Sequence, residues 1–140
     1  MGYFVTYITA TGPMGAEGRY WDALLEGHLE LPRCKSCDHW HWPAVWRCGE
    51  CGSWDQEWVE QLLTGTIFSW TRTHHAFGGT EGIEKPFVSV LATLDSVPVR
   101  LIGLLKGEET NLAIGAKVSG NIGKTQFGEN QIPAIRWSLA

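Results

Sequence analysis

The sequence predicts a mainly β protein: one short helix near its start, a metal-stapled ribbon, then a five-stranded barrel. Two observations predict it. Four cysteines stand as two pairs, Cys34 with Cys37 and Cys48 with Cys51, with two residues between the members of each pair and ten between the pairs. After residue 61, short apolar stretches rich in β-branched and aromatic residues recur between Gly-, Pro- and polar-rich joints. That is the pattern of strands and turns, not of helices. Length agrees, since 140 residues make one ordinary domain or two very small ones, and 44% hydrophobic content can fill a core.

Residues 1–18 form an arm or linker. Within it, 1–12 reads as a strand apolar on both faces, with Tyr3, Val5 and Tyr7 opposite Phe4, Thr6 and Ile8. The following Gly- and Pro-containing stretch, 12–18, reads as a flexible linker. A short helix is expected within 19–28, with Tyr20, Trp21, Leu24 and Leu25 on one side and Gly27 as its C-terminal cap. Residues 29–60 make the ribbon: an alternating run at 29–33, the cysteine segment, and a connecting strand at 57–63. Residues 61–140 make the barrel, with strands at 66–73, 87–94, 99–105, 116–122 and 132–138. The joint at 95–98 reads as a hairpin, 107–111 as a polar turn, and 74–86 as a long Gly-rich loop with two His. Five such strands suit a small, partly open barrel such as an OB-fold; half of a sandwich is the competing architecture. The chain then holds two small cores, not one.

The cysteines carry the strongest signal. A tetrahedral metal takes four soft ligands, and a pair two residues apart turns back to present both sulfurs to one ion. Gly52 follows the second pair, where positive φ is often needed, and Asp38 holds the equivalent place after the first. One structural zinc is expected on Cys34, Cys37, Cys48 and Cys51. Zinc is preferred over iron because nothing else in the chain suggests electron transfer. Four thiolates around a divalent ion leave a formal charge of −2, which Arg33, Lys35 and Arg47 can offset. His39 and His41, inside the loop, read as surface or packing residues.

Charge and processing exclude other classes. Net charge is −4, from 11 Lys+Arg against 15 Asp+Glu, without the basic face of a general nucleic-acid binder. No apolar run reaches the length of a membrane span, and the first ten residues lack the basic start of a signal peptide. The expected location is the cytoplasm, where thiols stay reduced and disulfides are disfavoured.

The motifs, taken in order, resemble a known family. They are the aromatic helix from Tyr20 to Gly27, Leu31-Pro32-Arg33-Cys34, Trp42-Pro43-Ala44, Cys48 to Ser53, Trp58-Val59, Gly65 to Thr71, and Lys85 to Leu91 ahead of Leu94-Asp95. This order resembles the zinc-ribbon plus OB-fold proteins called domain of unknown function 35, over about residues 19–138. The resemblance implies an N-terminal helix, a rubredoxin-like zinc ribbon and a C-terminal OB barrel. It also implies a non-catalytic accessory subunit of a thiolase-fold enzyme, whether thiolase, acyltransferase or retro-aldolase, acting on acyl-CoA thioesters. Such a subunit stabilises the complex and helps form the acyl-CoA channel. A dimeric partner suggests two small chains on two large ones, by symmetry.

No catalytic residue is assigned to this chain: its cysteines are consumed by the metal, and His74 and His75 have no nucleophile beside them in sequence. A polar strand end is the plainer account of that pair; a loop lining a ligand channel is the functional one. Coenzyme A carries phosphates, so Arg72, Lys85 and Arg100, bordering the first barrel strands, are the candidate contacts. Trp21, Trp58, Trp70 and Trp137 are expected in cores. Trp40, Trp42 and Trp46 crowd a ribbon too small to bury them all, so at least one is expected to meet a partner. Two other uses compete. A single-stranded nucleic-acid binder fits the tryptophans but not the charge. A rubredoxin-type electron carrier would leave the barrel without a purpose.

Overall fold

The computed structural model describes residues 15–127 and 130–140; the strand expected at 1–12 lies outside them. Helix α1 spans Gly18–Glu26. It stops at Gly27, whose φ of 98° is accessible because glycine has no Cβ. The Gly27 and His28 amides then donate to the Leu24 and Ala23 carbonyls, closing a Schellman turn. The buried face is Tyr20, Ala23 and Leu24, with Trp21 packed alongside. Leu25, expected on that face, turns outward, and Ala23 takes the inner position because it fits close helix-to-sheet packing.

Strands β1 (Leu29–Cys34) and β2 (Gln56–Gln61) pair antiparallel, Leu29 opposite Gln61 and Cys34 opposite Gln56. The cysteine loop is therefore held at the open end of a two-stranded ribbon. Strands β3 (Thr64–Thr73), β4 (Phe87–Leu94), β5 (Arg100–Leu105), β6 (Lys117–Phe127) and β7 (Asn130–Leu139) form a closed barrel in the order β3-β4-β5-β7-β6. The β5–β7 pairing is parallel and the others antiparallel, the arrangement of an OB-fold. Closure comes from Thr64, Gly65 and Thr66 pairing with Ser119, Val118 and Lys117, so neither the sandwich half nor an open barrel is formed. A bulge between Ile67 and Ser69 turns Phe68 out to solvent.

The barrel interior follows the expected alternation, with Val88, Val90, Ala92 and Leu94 of β4 pointing inward. Trp137 is wholly buried at its centre. Room for the indole comes from two glycines: a Cβ on either Gly103 or Gly120 would lie 3.0 Å from the Trp137 ring. The expectation of two cores is corrected here. Helix α1 packs on β1 and β7, and one continuous buried cluster runs from Tyr20, Leu24, Leu29 and Leu31 into Ile67, Leu101, Ile135 and Trp137. An aliphatic-poor ribbon thereby borrows the core of its neighbour. Among the described residues no helix is long and apolar enough to cross a membrane.

Candidate functional site

The cysteine loop folds as two matching turns. In the first, the Cys34 amide donates to the His39 carbonyl at 2.8 Å and the Asp38 amide to the Cys34 carbonyl at 2.8 Å. In the second, the Cys48 amide donates to the Ser53 carbonyl at 2.8 Å and the Gly52 amide to the Cys48 carbonyl at 2.9 Å. Asp38 and Gly52 reverse the chain with φ of 64° and 79°. The Ser36 hydroxyl donates to the Ser53 hydroxyl at 2.9 Å, tying the two turns together.

The four sulfurs lie within 4.8 Å of one another, Cys34 to Cys51 and Cys37 to Cys48 each at 3.6 Å. A disulfide needs about 2.05 Å. A tetrahedron with zinc–sulfur bonds of about 2.3 Å has edges of about 3.8 Å, so the donor set fits a structural zinc. The leading cysteine of each pair is buried and the trailing one exposed.

The electrostatics divide the four thiols, with Cys34 and Cys48 lowered and Cys37 and Cys51 raised. Burial raises the Cys34 thiol, but amide hydrogen bonds from Cys37 and Ser36 outweigh it and hold it at about 7. The Cys48 thiol is lowered chiefly by the Cys51 amide. At Cys37 the His39 amide pulls the thiol down, yet burial and the neighbouring thiols push it up to about 12. Four adjacent thiolates need a cation, and the amide dipoles are already aimed at them. Of the nearby side-chain cations expected to offset the site's charge, Arg47 stays beside the second turn, while Arg33 and Lys35 also meet carboxylates. Arg33 pairs with Glu57 at 2.6 Å, Lys35 approaches Asp55 at 3.9 Å, and Arg47 donates to the Gly52 carbonyl and stacks over Trp54.

The other predicted residues scatter. Arg72 is taken by Glu109 at 2.6 Å and lies over the Trp70 ring. Arg100 covers Phe68 at 3.8 Å. Lys85 donates to the Thr80 and Ile83 carbonyls, fastening the loop before β4. His74 and His75 are exposed strand-end residues. Of the ribbon tryptophans, Trp40 and Trp42 pack against the core, Trp42 on Tyr20 at 4.2 Å between ring centroids, while Trp46 is 59% exposed. His41 is buried and His39 exposed.

Sequence reasoning missed two residues. Trp54 is 69% exposed, and with Val45 and Trp46 it leaves the ribbon with a solvent-facing aromatic surface. It sits in coil just past the second pair, where periodicity gives no signal. Arg136 borders a cavity together with Lys85. Its place between inward Ile135 and Trp137 reads only as an outward strand position.

Comparisons with known proteins follow this division of the chain. Residues 21–55 match the rubredoxin-like zinc ribbon domain of ChsH2, and residues 58–122 match the C-terminal OB-fold domain of ChsH2. A chain of a solved structure described as an Ltp2-ChsH2(DUF35) aldolase superposes with a TM-score of 0.74 at 27% identity, over 86% of this chain and 93% of that one. A DUF35-family protein of unknown function from Sulfolobus solfataricus shares the fold, with a TM-score of 0.57 at 18% identity over 97% and 92% of the two chains. A probable enoyl-CoA hydratase alpha subunit of Thermomonospora curvata is 30% identical over 79 residues, which are 56% of this chain. The match spans 24% of that relative's length.

Proposed function

Because the chain belongs to the ChsH2 (DUF35) family of zinc-ribbon and OB-fold proteins, we propose that it is a non-catalytic small subunit of a thiolase-fold enzyme acting on acyl-CoA thioesters. The observation that carries this reading is the likeness, along nearly the whole described chain, to a chain of the Ltp2-ChsH2(DUF35) aldolase. The hydratase relative, whose name includes enoyl-CoA, points to the same substrate class.

The chemistry of the chain supports it. Its four thiols face one another as metal donors, which leaves no cysteine nucleophile. Zinc held by four protein sulfurs has no open position, so it serves structure, not Lewis-acid chemistry. What the chain offers outward is surface. Trp46 and Trp54, large, exposed and carried on a metal-stiffened loop, are the kind of residues that anchor interfaces. Trp40 and Trp42 support that loop from beneath. In this reading the ribbon docks on the partner and the barrel borders the acyl-CoA channel, two small chains flanking a dimer of large ones.

An assay of the partner tests it. A thiolase-fold enzyme from the same source, purified alone, is expected to turn over its acyl-CoA poorly and to gain at least tenfold on addition of this chain. Equal activity with and without the chain contradicts the proposal.

A further inference from the structure

The barrel closes unevenly between β5 and β7. Their parallel pairing is confined to Leu104 opposite Arg136 and Leu105 opposite Trp137. The strands still touch at Gly103, where a Cβ would stand 2.5 Å from the Ile135 carbonyl oxygen. Ahead of that point β5 is paired on one side only. The Leu94 amide donates to the Val99 carbonyl where β4 turns into β5. Alternation along the antiparallel pair then gives Leu101 and Gly103 the bonds to β4, and it turns the backbone groups of Arg100 and Ile102 toward the seam. Among the described residues no strand pairs with Arg100 or Ile102 from that side. An unpaired strand edge is a template for another extended segment.

The seam is also apolar. A space of about 320 Å³ opens onto it, bordered by Ile102 of β5, Ala134 and Ile135 of β7, Tyr20 and Trp21 of α1, and Trp42. None of the residues that border it is charged. A second space, of about 260 Å³, shares Ile102, Ala134 and Ile135 and carries the trough on to Leu104 and Ile83. Ile102 is common to both and 68% exposed, so a large apolar side chain is left uncovered in the middle of the trough.

A segment of matching chemistry stands next to it in the chain. Residues 1–12 contain no Asp, Glu, Lys, Arg or His, and they hold Tyr3, Phe4, Val5, Tyr7 and Ile8. They lie outside the described residues, which begin at Gly15. The Gly18 amide donates to the Gly15 carbonyl at 3.2 Å, so the chain turns directly into α1. Tyr20, on the wall of the trough, follows Gly15 by five residues, a span of at most about 18 Å. A tethered segment meets such a site at an effective concentration of about millimolar, an advantage that no separate chain shares.

We propose that residues 1–12 of this chain fill the trough. They add to the free edge of β5 at Arg100 and Ile102, with their aromatic side chains set against Trp21, Trp42 and Ile102. The apolar seam is then covered by the chain itself and is not a surface kept for a partner. This occupant is independent of the subunit reading, whose anchors Trp46 and Trp54 lie on the ribbon.

Photo-crosslinking in the full chain tests it. Tyr3 and Tyr7 are replaced, one at a time, by p-benzoylphenylalanine, and the peptides joined on irradiation are identified by mass spectrometry. The expected product is a cross-link within one chain, to a peptide holding Trp21, Trp42, Ile102 or Ala134. Ile102→Asp, a change at an exposed position, should cut its yield at least fivefold, whereas Ile114→Asp, exposed but outside the trough, should leave it unchanged. Hydrogen exchange followed by nuclear magnetic resonance gives a second readout. Deleting residues 1–12 should speed exchange of the Arg100 and Ile102 amides at least tenfold and leave the Leu101 amide protected. Lost protection at Leu101 marks an unfolded variant, and the cross-links then decide alone. Cross-links that join two chains, cross-links that miss the trough, or none at all overturn the proposal. So do Arg100 and Ile102 amides that exchange equally fast with and without residues 1–12 in a folded chain.

Discussion

Asp38 and Gly52 occupy the same place in two matched turns, each at positive φ and each donating its amide to the carbonyl of the leading cysteine of its pair. They differ in tolerance. Asp38→Gly should leave zinc content unchanged and shift stability by less than about 0.5 kcal/mol, since glycine adopts this conformation freely. Gly52→Val should cost about 1–2 kcal/mol, because a β-branched side chain is strained at this φ and its Cβ meets the Arg47 guanidinium at 3.1 Å. Thermal melts of the two variants check the asymmetry.

Metal content discriminates between the structural-zinc and electron-carrier accounts. Freshly purified protein should carry about one equivalent of zinc, show no red colour and have no redox wave. Cys51→Ser should drop zinc below about half an equivalent and flatten the near-ultraviolet signal of Trp40 and Trp42, which the ribbon fixes against the core. Stoichiometric iron in the wild type contradicts the account.

Close packing around Trp137 gives a prediction for the barrel. Gly103→Ala drives a methyl to 2.5 Å from a backbone oxygen and 3.0 Å from the Trp137 ring, and should cost about 1–3 kcal/mol. Gly49→Ala, with nothing within 4 Å of the new methyl, should be neutral within about 0.5 kcal/mol. Denaturant midpoints of the pair test whether the glycine at β5 is there for space.

Glu30 links helix α1 to the ribbon. It accepts from Arg19 Nε at 2.9 Å and meets His28 Nε2 at 2.6 Å. Arg19, chiefly, holds its carboxyl below the ordinary 4.5, with His28 adding to the effect against the cost of burial. With the folded value depressed, the unfolded chain binds the proton first on acidification. The contribution is therefore complete above about pH 4.5 and is lost as pH falls through the folded value. Glu30→Gln should be less stable than wild type by about 1 kcal/mol near neutrality, discounted because Arg19 is 37% exposed. The gap should narrow as pH falls below about 4.5. Urea midpoints of both proteins across that range check it, the cysteine chemistry being common to the two.

Much of this was legible because short-range chemistry decides it. Cysteine spacing, the positive φ after each pair, the Gly27 cap and the alternation of β4 depend on neighbours in sequence, and the structure returns them. What long-range packing decides was not. Strand β6 runs to Phe127, past the expected end at 122, because pairing with β7 extends it through a Gly- and polar-rich stretch that has no apolar alternation. Leu25 faces out because α1 is wedged between β1 and β7, which its own periodicity does not encode. Arg136 reads as any solvent-facing strand residue, because residues 83–86, which border the same cavity, lie far from it in sequence.

The central claim is that this chain exists to bind a larger acyl-CoA enzyme. The most direct measurement is purification of the tagged chain from its native host, with the mass of the complex measured and every co-purifying chain identified. The account predicts a thiolase-fold enzyme at one copy per small chain, in an assembly of two and two, lost on Trp46→Ala combined with Trp54→Ala. A monodisperse single chain of 15.6 kDa that retains its zinc and brings down no thiolase-fold enzyme would contradict it.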